Sequence, residues 1–485
     1  MGGTPMAPDV RSAELQVGAL VADFGISRAW LVDPYTGLEG PGEIVVADGI
    51  LAGVTWLEGA EAVGIGPDGV VVAPGFIDLH AHFREPGFED AETVATGLAA
   101  AAHGGYTRVC VMPNTSPAID DAGVVARVRA AAVASGSPVA LEVIGAVTVG
   151  RGGERLAALG EMADAGVVGF SDDGASVRTG MLLQHALRYA GMLGRPIVEH
   201  AEEIALTSGA EANEGLVAAV LGLRGWPAAA EEAVVARDIA ILAGIVGEVP
   251  GARIHLTHLS TVGSIDLVRR AKAAGLPVTC DVTPHHLALT DEWVAGARRW
   301  AWEAVDADGT ARDPWTDGAL VAGPYDPACR VNPPLRGPTD AAAVRAALSD
   351  GTADAVVTDH APHTAVDKEA EFGLAVNGIS GIETALGVLL AAVEADEMSL
   401  VTAIHALTAG PAEVFAAWTG RQVGGGLVEG APADIVVFDR ADGWTVSREA
   451  LRSKGKNTPL LGRELPGRVL LTIAAGKLAY ADTAE

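Results

Sequence analysis

Two histidines, His80 and His82, stand two apart in Asp78-Leu79-His80-Ala81-His82. On a β-strand alternate residues share a face, so both imidazoles look into one space, and Arg84 shares their parity. Two imidazoles on one strand face make half of a metal site, although an HxH pair alone is common. Similar groups recur after short apolar runs: Asp173 after Phe170-Ser171-Asp172, His200 after Val198-Glu199, His258 after Thr257, and Asp359 after Thr358. Each alone reads more readily as a hydrogen-bonded core histidine or a capping aspartate. Together, four imidazoles and two carboxylates match two borderline divalent ions sharing a bridging carboxylate, for which zinc is the usual occupant. Such ions make a nucleophile of bound water at neutral pH, and a terminal aspartate ligand can move its proton.

These residues need elements that bring them together. Between about residues 70 and 365, eight short β-branched runs alternate with longer helical patterns. The runs are 71–83, 107–114, 138–147, 167–173, 196–201, 253–260, 277–282 and 353–359. Helical patterns cover 91–102, 122–134, 178–192, 227–243 and 264–274. Continuous apolar runs read as strands buried on both faces, and eight alternating with helices predict an α/β fold, a (β/α)8 TIM barrel. Chemistry in such a barrel sits where the C-terminal strand ends converge, and the histidines and aspartates fall there. Strands merely emerging into water would carry Lys, Ser and Gly as readily. The barrel is placed at 71–423. Segments 17–70 and 424–485 read as strands and turns that meet as one small β-sandwich, with 1–16 a loose tail. Residues 293–329, with Trp293, Trp300, Trp302 and Trp315 and no clear period, predict a long loop.

The 485-residue chain is 49% hydrophobic and 20% charged, enough apolar material for a large core. Its 33 basic and 62 acidic residues give a formal charge of -29, which argues against nucleic acid as a partner. The three cysteines, Cys110, Cys280 and Cys329, show no CxxC spacing, which excludes a disulfide scaffold and fits a reducing compartment. Apolar runs such as 385–393 are about half of what a bilayer-spanning helix needs. Residues 1–16 lack the basic start and apolar core of a signal peptide. A cytoplasmic protein with no membrane partner is expected.

Longer motifs surround the candidate ligands. They are Pro74-Gly75-Phe76-Ile77-Asp78-Leu79-His80-Ala81-His82-Phe83-Arg84-Glu85-Pro86-Gly87, Met112-Pro113-Asn114-Thr115, Phe170-Ser171-Asp172-Asp173-Gly174 and Thr283-Pro284-His285-His286-Leu287. Val331-Asn332-Pro333-Pro334-Leu335-Arg336, Thr358-Asp359-His360-Ala361-Pro362-His363 and Ser453-Lys454-Gly455-Lys456-Asn457-Thr458-Pro459 follow. Over about residues 45–480 the chain resembles bacterial, type I-like dihydroorotases of the amidohydrolase superfamily. The resemblance implies zinc-dependent, reversible cyclisation of N-carbamoyl-L-aspartate to L-dihydroorotate in de novo pyrimidine (UMP) synthesis. It implies that His80 and His82 bind one zinc and His200 and His258 the other. Asp173, with Asp172 the alternative, would bridge them, and Asp359 would be both ligand and catalytic acid/base. Arg84, Asn114 and His363 would hold the substrate's free carboxylate, with Asn332 nearby and Asn377 and Gly378 as further contacts. A guanidinium fork suits a carboxylate as an ammonium does not. A homo-oligomer acting on a small molecule is implied, and association with aspartate transcarbamoylase is left open.

Two stretches depart from the family pattern. Residues 293–329 are longer than usual, and Asn377-Gly378 stands where Phe-Gly or Pro-Gly is frequent. One rival reading is a related cyclic amidase, hydantoinase- or allantoinase-like. Hydantoinases resemble one another in bridging their metals with a carboxylated lysine, whereas the first lysine here is Lys272, so the fourth run has none. The other rival is a non-catalytic, dihydroorotase-like scaffold for aspartate transcarbamoylase, which would be expected to lack the ligands that this chain carries. His103, His185, His255 and His405 read as packing or surface residues, and Cys110 and Cys280 as core. His285 and His286 cannot both be ligands, since adjacent strand residues face opposite ways.

Overall fold

The computed structural model describes residues 10–12 and 16–482. Most of the expected 1–16 tail lies outside the described residues, but Val10–Ser12 forms a strand, antiparallel to Phe24, Gly25 and Ile26.

Eight parallel strands follow one another in chain order around the barrel. They are Phe76–Ala81, Tyr106–Val111, Ala140–Gly145, Gly169–Phe170, Ile197–Glu199, Ile254–Leu256, Val278–Val282 and Ala355–Val356. The seam is fastened between the first and last: Ala81 bridges His360 in parallel, and the His82 N–H donates to the His360 carbonyl at 2.8 Å. Buried Asp78 reinforces it by accepting from the Thr358 N–H and hydroxyl. Helices Val94–His103, Ala122–Ser135, Gly180–Met192, Ala229–Ile245, Val262–Ala273 and Pro338–Ser349 alternate with the strands. Thr93, Asp121, Thr179 and Thr261 cap four of them by accepting first-turn backbone N–H groups. Each such cap contributes about 1 kcal/mol and fixes where the loop from a strand end becomes helix.

Several strands are shorter than the apolar runs that announce them. Strand six stops at Leu256 and strand eight at Val356. His258 and Asp359 beyond them sit at φ 43°, a left-handed conformation that no ladder accommodates, so the chain leaves the sheet there. Run 71–83 is likewise two strands rather than one. Val70–Pro74 pairs antiparallel with Ile435–Asp439 outside the barrel, and Phe76–Ala81 opens the barrel. Gly75 makes the crossing: a Cβ there would stand 2.2 Å from Thr107 Cγ2.

The chain ends meet in one sheet, ordered Lys477–Ala481, Arg468–Ala474, Ile435–Asp439, Val70–Pro74, Asp23–Asp33, Leu38–Ala47 and Ile50–Trp56. Phe24, Ile26, Leu31, Ile44, Ile435 and Ile473 give it a core distinct from the barrel's. Segment 293–329 is more ordered than a periodless loop suggests. It begins within the helix Glu292–Ala295, holds 3-10 turns at Ala301–Ala304 and Pro327–Cys329, and buries Trp293. The Arg463 guanidinium lies 3.6 Å from the Trp300 ring centre, and Trp300 stacks on Trp302. His285 and His286 occupy the short helix Pro284–Ala288, so strand alternation does not apply to them. Helical stretch Leu400–Thr419 is long and apolar enough to cross a membrane, against the sequence expectation, but most of it is buried inside the fold.

Candidate metal centre and active site

All six candidate ligands meet at the C-terminal mouth of the barrel. His80 Nε2 stands 3.3 Å from Asp173 Oδ1 and 3.5 Å from Asp359 Oδ1. His82 Nε2 is 2.9 Å from Asp359 Oδ1 and 3.6 Å from Asp173 Oδ2. His258 Nε2 and His200 Nδ1 approach Asp173 Oδ1 at 3.4 and 3.6 Å. Asp173 therefore touches all four imidazoles, the place a bridging carboxylate would occupy. Asp172 points elsewhere, accepting from the Thr148 N–H and hydroxyl.

The outer ring atoms decide what the inner ones can be. Thr257 Oγ1 donates to Asp281, so at 2.7 Å from His80 Nδ1 it can only accept. Asn114 Nδ2 donates to Asp173, which turns Oδ1 toward His82 Nδ1 at 2.8 Å as an acceptor. Both histidines thus carry a proton on Nδ1 and present Nε2 lone pairs only 3.2 Å apart. A shared cation relieves that opposition. Nitrogen and carboxylate donors, braced from behind in this way, fit a borderline divalent metal. His80, His82 and Asp359 form one metal-capable group and His80, Asp173 and His258 another.

The electrostatics agree. Burial would lower His80 and His200, but the carboxylates outweigh it: Asp173 and Asp359 lift His80 to about 9, and Asp173 and Glu202 lift His200 to about 10. Burial would raise Asp173 and Asp359, yet the imidazoles hold both below the usual carboxylate range. The cluster has a strong appetite for positive charge, which protons or a metal can satisfy.

A cavity of about 190 Å³ opens directly on this cluster and is also lined by Arg84, Asn114, Asn332, His363, Asn377 and Gly378. All the residues expected to touch substrate are brought there. Arg84 donates from Nε to the Pro362 carbonyl at 3.0 Å, and its Nη2 lies 3.1 Å from His363 Nε2. Burial lowers Arg84 to about 10, so it stays charged at neutral pH. Burial, then the neighbouring guanidinium, pushes His363 down to about 3 and keeps it neutral. Asn114 braces His82 and Asp173 while facing the cavity, and Asn377 uses its side chain to accept from Arg330 at 3.0 Å.

Four groups escaped the sequence reading. Asp281 accepts from His255 Nε2 at 2.7 Å and from the His258 N–H, so His255 braces the site instead of merely filling core. Thr257 links Asp281 to His80, and Arg151 donates to the Asp173 carbonyl. Glu202 accepts from His200 at 3.0 Å; its spacing from His200 repeats that of His80 and His82 and was a usable signal.

Gly378 supplies a direct test of cavity shape. It sits at φ 144°, and a Cβ would lie 2.8 Å from the Ala361 carbonyl oxygen and 2.9 Å from His363 Nε2. Gly378→Ala is therefore expected to raise KM about 5- to 150-fold, because overpacking of ~1–3 kcal/mol would displace His363. Steady-state kinetics on the folded variant checks this; a KM within twofold of wild type would show that the wall yields.

An eight-stranded α/β barrel with a His/Asp cluster at its C-terminal mouth defines a hydrolase barrel of the amidohydrolase type. A match to the family described as Dihydro-orotase-like covers residues 69–264. A dihydroorotase of Anaeromyxobacter dehalogenans (strain 2CP-C) is 43% identical over 459 residues, covering 93% of this chain and 96% of that one. A dihydroorotase of Streptomyces coelicolor is 44% identical over 430 residues, 88% of this chain and 91% of its own. The chain belongs to the dihydroorotase family. An L-hydantoinase (dihydropyrimidinase) from Arthrobacter aurescens shares the fold at a TM-score of 0.73 and 22% identity, covering 95% of this chain and 96% of that one.

Proposed function

We propose that this protein is a dihydroorotase, which closes N-carbamoyl-L-aspartate to L-dihydroorotate and reopens the ring, as a step in pyrimidine synthesis. The observation that carries the reading is the pairing, in one cavity, of the six-ligand cluster with the Arg84–His363 edge. In this reading His80 and His82 hold one zinc and His200 and His258 the other, with Asp173 between them and Asp359 as a terminal ligand. Bound there, the metals would supply an activated water and polarise the reacting carbonyl.

The remaining work falls to side chains. Arg84 grips the free carboxylate of the substrate with its guanidinium fork, and neutral His363 beside it contributes a ring nitrogen. Asn332, Asn377 and Gly378 complete the walls around the ring. During opening, Asp359 takes the proton of the attacking water and delivers it to the departing amide nitrogen; closure reverses these steps. Ring closure turns a dianion into a monoanion and consumes a proton, so acid favours dihydroorotate and alkali favours N-carbamoyl-L-aspartate. The reading also includes a homo-oligomer in the cytoplasm, and it leaves open an association with aspartate transcarbamoylase in addition to catalysis.

The test is turnover by protein stripped of metal and reconstituted with Zn²⁺. Loss of dihydroorotate absorbance in the ultraviolet is expected, with little turnover of unsubstituted hydantoin. Good hydantoin turnover without dihydroorotate turnover would transfer the protein to the cyclic amidases.

A further inference from the structure

We propose that Glu202 is a positioning residue that ties the His200 ligand to Asn332, so that metal affinity and substrate affinity are set through one carboxylate. The proposal deepens the dihydroorotase reading and rests on it. Glu202 Oε2 accepts from His200 Nε2 at 3.0 Å and from Asn332 Nδ2 at 2.9 Å. Its Oε1 accepts from the Thr207 hydroxyl. The Glu202 N–H donates to Ser176 Oγ at 2.7 Å, and that hydroxyl donates to the His200 carbonyl. Both carboxylate oxygens and the backbone are therefore clamped.

An ionised carboxylate only accepts, which settles both partners. His200 must keep its proton on Nε2, leaving the Nδ1 lone pair to face His258 Nε2 at 3.0 Å and Asp173 Oδ1 at 3.6 Å. Asn332 must turn its NH₂ toward Glu202, which fixes the flip of its amide, and its Oδ1 meets no donor among the described residues. His200 and Asn332 both line the 190 Å³ cavity. Glutamine at position 202 would bring two N–H groups into a ring of donors. If the NH₂ takes the place of Oε2, either His200 moves its proton to Nδ1, removing the metal-facing lone pair, or Asn332 flips and changes the atom shown to substrate. If it faces Thr207, that hydroxyl turns its proton to the Ile204 carbonyl, and His200 and Asn332 keep an acceptor that has lost its charge.

Stripped wild type, Glu202→Gln, Asn332→Ala and Glu203→Gln are titrated with Zn²⁺ against a competing chelator, then assayed for dihydroorotate KM at saturating Zn²⁺. Partners behind metal-bound histidines typically contribute 10–100-fold in affinity. Glu202→Gln is expected to bind Zn²⁺ roughly 10–100-fold more weakly and also to show a raised KM. Asn332→Ala should raise KM alone, and Glu203→Gln should match wild type. Zinc affinity unchanged in Glu202→Gln, or weakened with KM unmoved, overturns the proposal. Failure of wild type to bind Zn²⁺ at all overturns the metal reading beneath it. Should Glu202→Gln not fold, Thr207→Val, which frees Oε1, is expected to shift both quantities in the same direction by about fivefold; no shift in either overturns the coupling.

Discussion

Asp359→Asn is expected to lose about 10²–10⁴-fold in kcat while retaining most of its zinc. Asparagine keeps the volume and one ligating oxygen, and it tolerates the left-handed φ of 43° at this position better than most residues. What it loses is the capacity to accept a proton. The carboxylate lies 2.9 Å from His82 Nε2 and 3.5 Å from His80 Nε2, at the edge of the ligand cluster and on the wall of the substrate cavity. The imidazoles hold it below the usual carboxylate range against the push of burial, so it enters the cycle ionised and able to act as a base. A capping role would predict a stability loss of about 1 kcal/mol and normal activity once folded. The side chain's near polar neighbours among the described residues are His82 Nε2 and His80 Nε2, not a helix N–H, which favours the chemical role. Measuring kcat and bound zinc on one folded preparation decides between them, and a variant keeping a tenth or more of wild-type kcat would refute the proton-shuttle assignment.

How legible the site was follows from what a parallel barrel does to sequence. Strands buried on both faces read as apolar runs, so the first polar residues after each run announce the mouth; His200 and Asp359 were found in this way. Side-chain parity placed His80 and His82 on one face, His80 within the strand Phe76–Ala81 and His82 just past its end. Arg84 lies three residues beyond that strand at a left-handed φ of 59°, so its place at the cavity comes from the loop and not from parity. Hydrogen bonds across the barrel leave no such trace. Nothing in the spacing of Thr257, Asp281 and His255 says that they brace His80 and His258, since they lie on neighbouring strands whose register only the fold sets. The split of run 71–83 was hidden for a related reason. Both halves are fully buried, one in the terminal sheet and one in the barrel, so hydropathy is continuous through Gly75. Segment 293–329 lacked a period because its order comes from tryptophan–arginine stacking and short 3-10 turns instead of a repeating face.

Arg84→Lys separates charge from shape and should raise KM roughly 10- to 150-fold while leaving metal content unchanged. Hydrogen bonds to charged groups contribute roughly 1.5–3 kcal/mol, and a lysine ammonium cannot reproduce the paired N–H donors that a carboxylate accepts. Arg84 is placed for that grip. Its Nε is fixed on the Pro362 carbonyl at 3.0 Å, its backbone takes a left-handed φ of 59°, and Nη2 reaches His363 Nε2 at 3.1 Å. Holding Nε leaves the outer edge of the guanidinium toward the cavity, where substrate would meet it. Neutral His363 has one ring proton, so its Nε2 can donate to the Asn377 carbonyl at 2.8 Å or accept from Arg84, but not both. Lysine, tethered by a flexible stem, would also lose the Pro362 contact and let His363 settle on Asn377 before substrate arrives. None of these atoms ligates the metal cluster, which is why zinc content should hold. A KM within twofold of wild type at normal zinc content would mean that the carboxylate is bound elsewhere and that Arg84 serves the loop around Pro362.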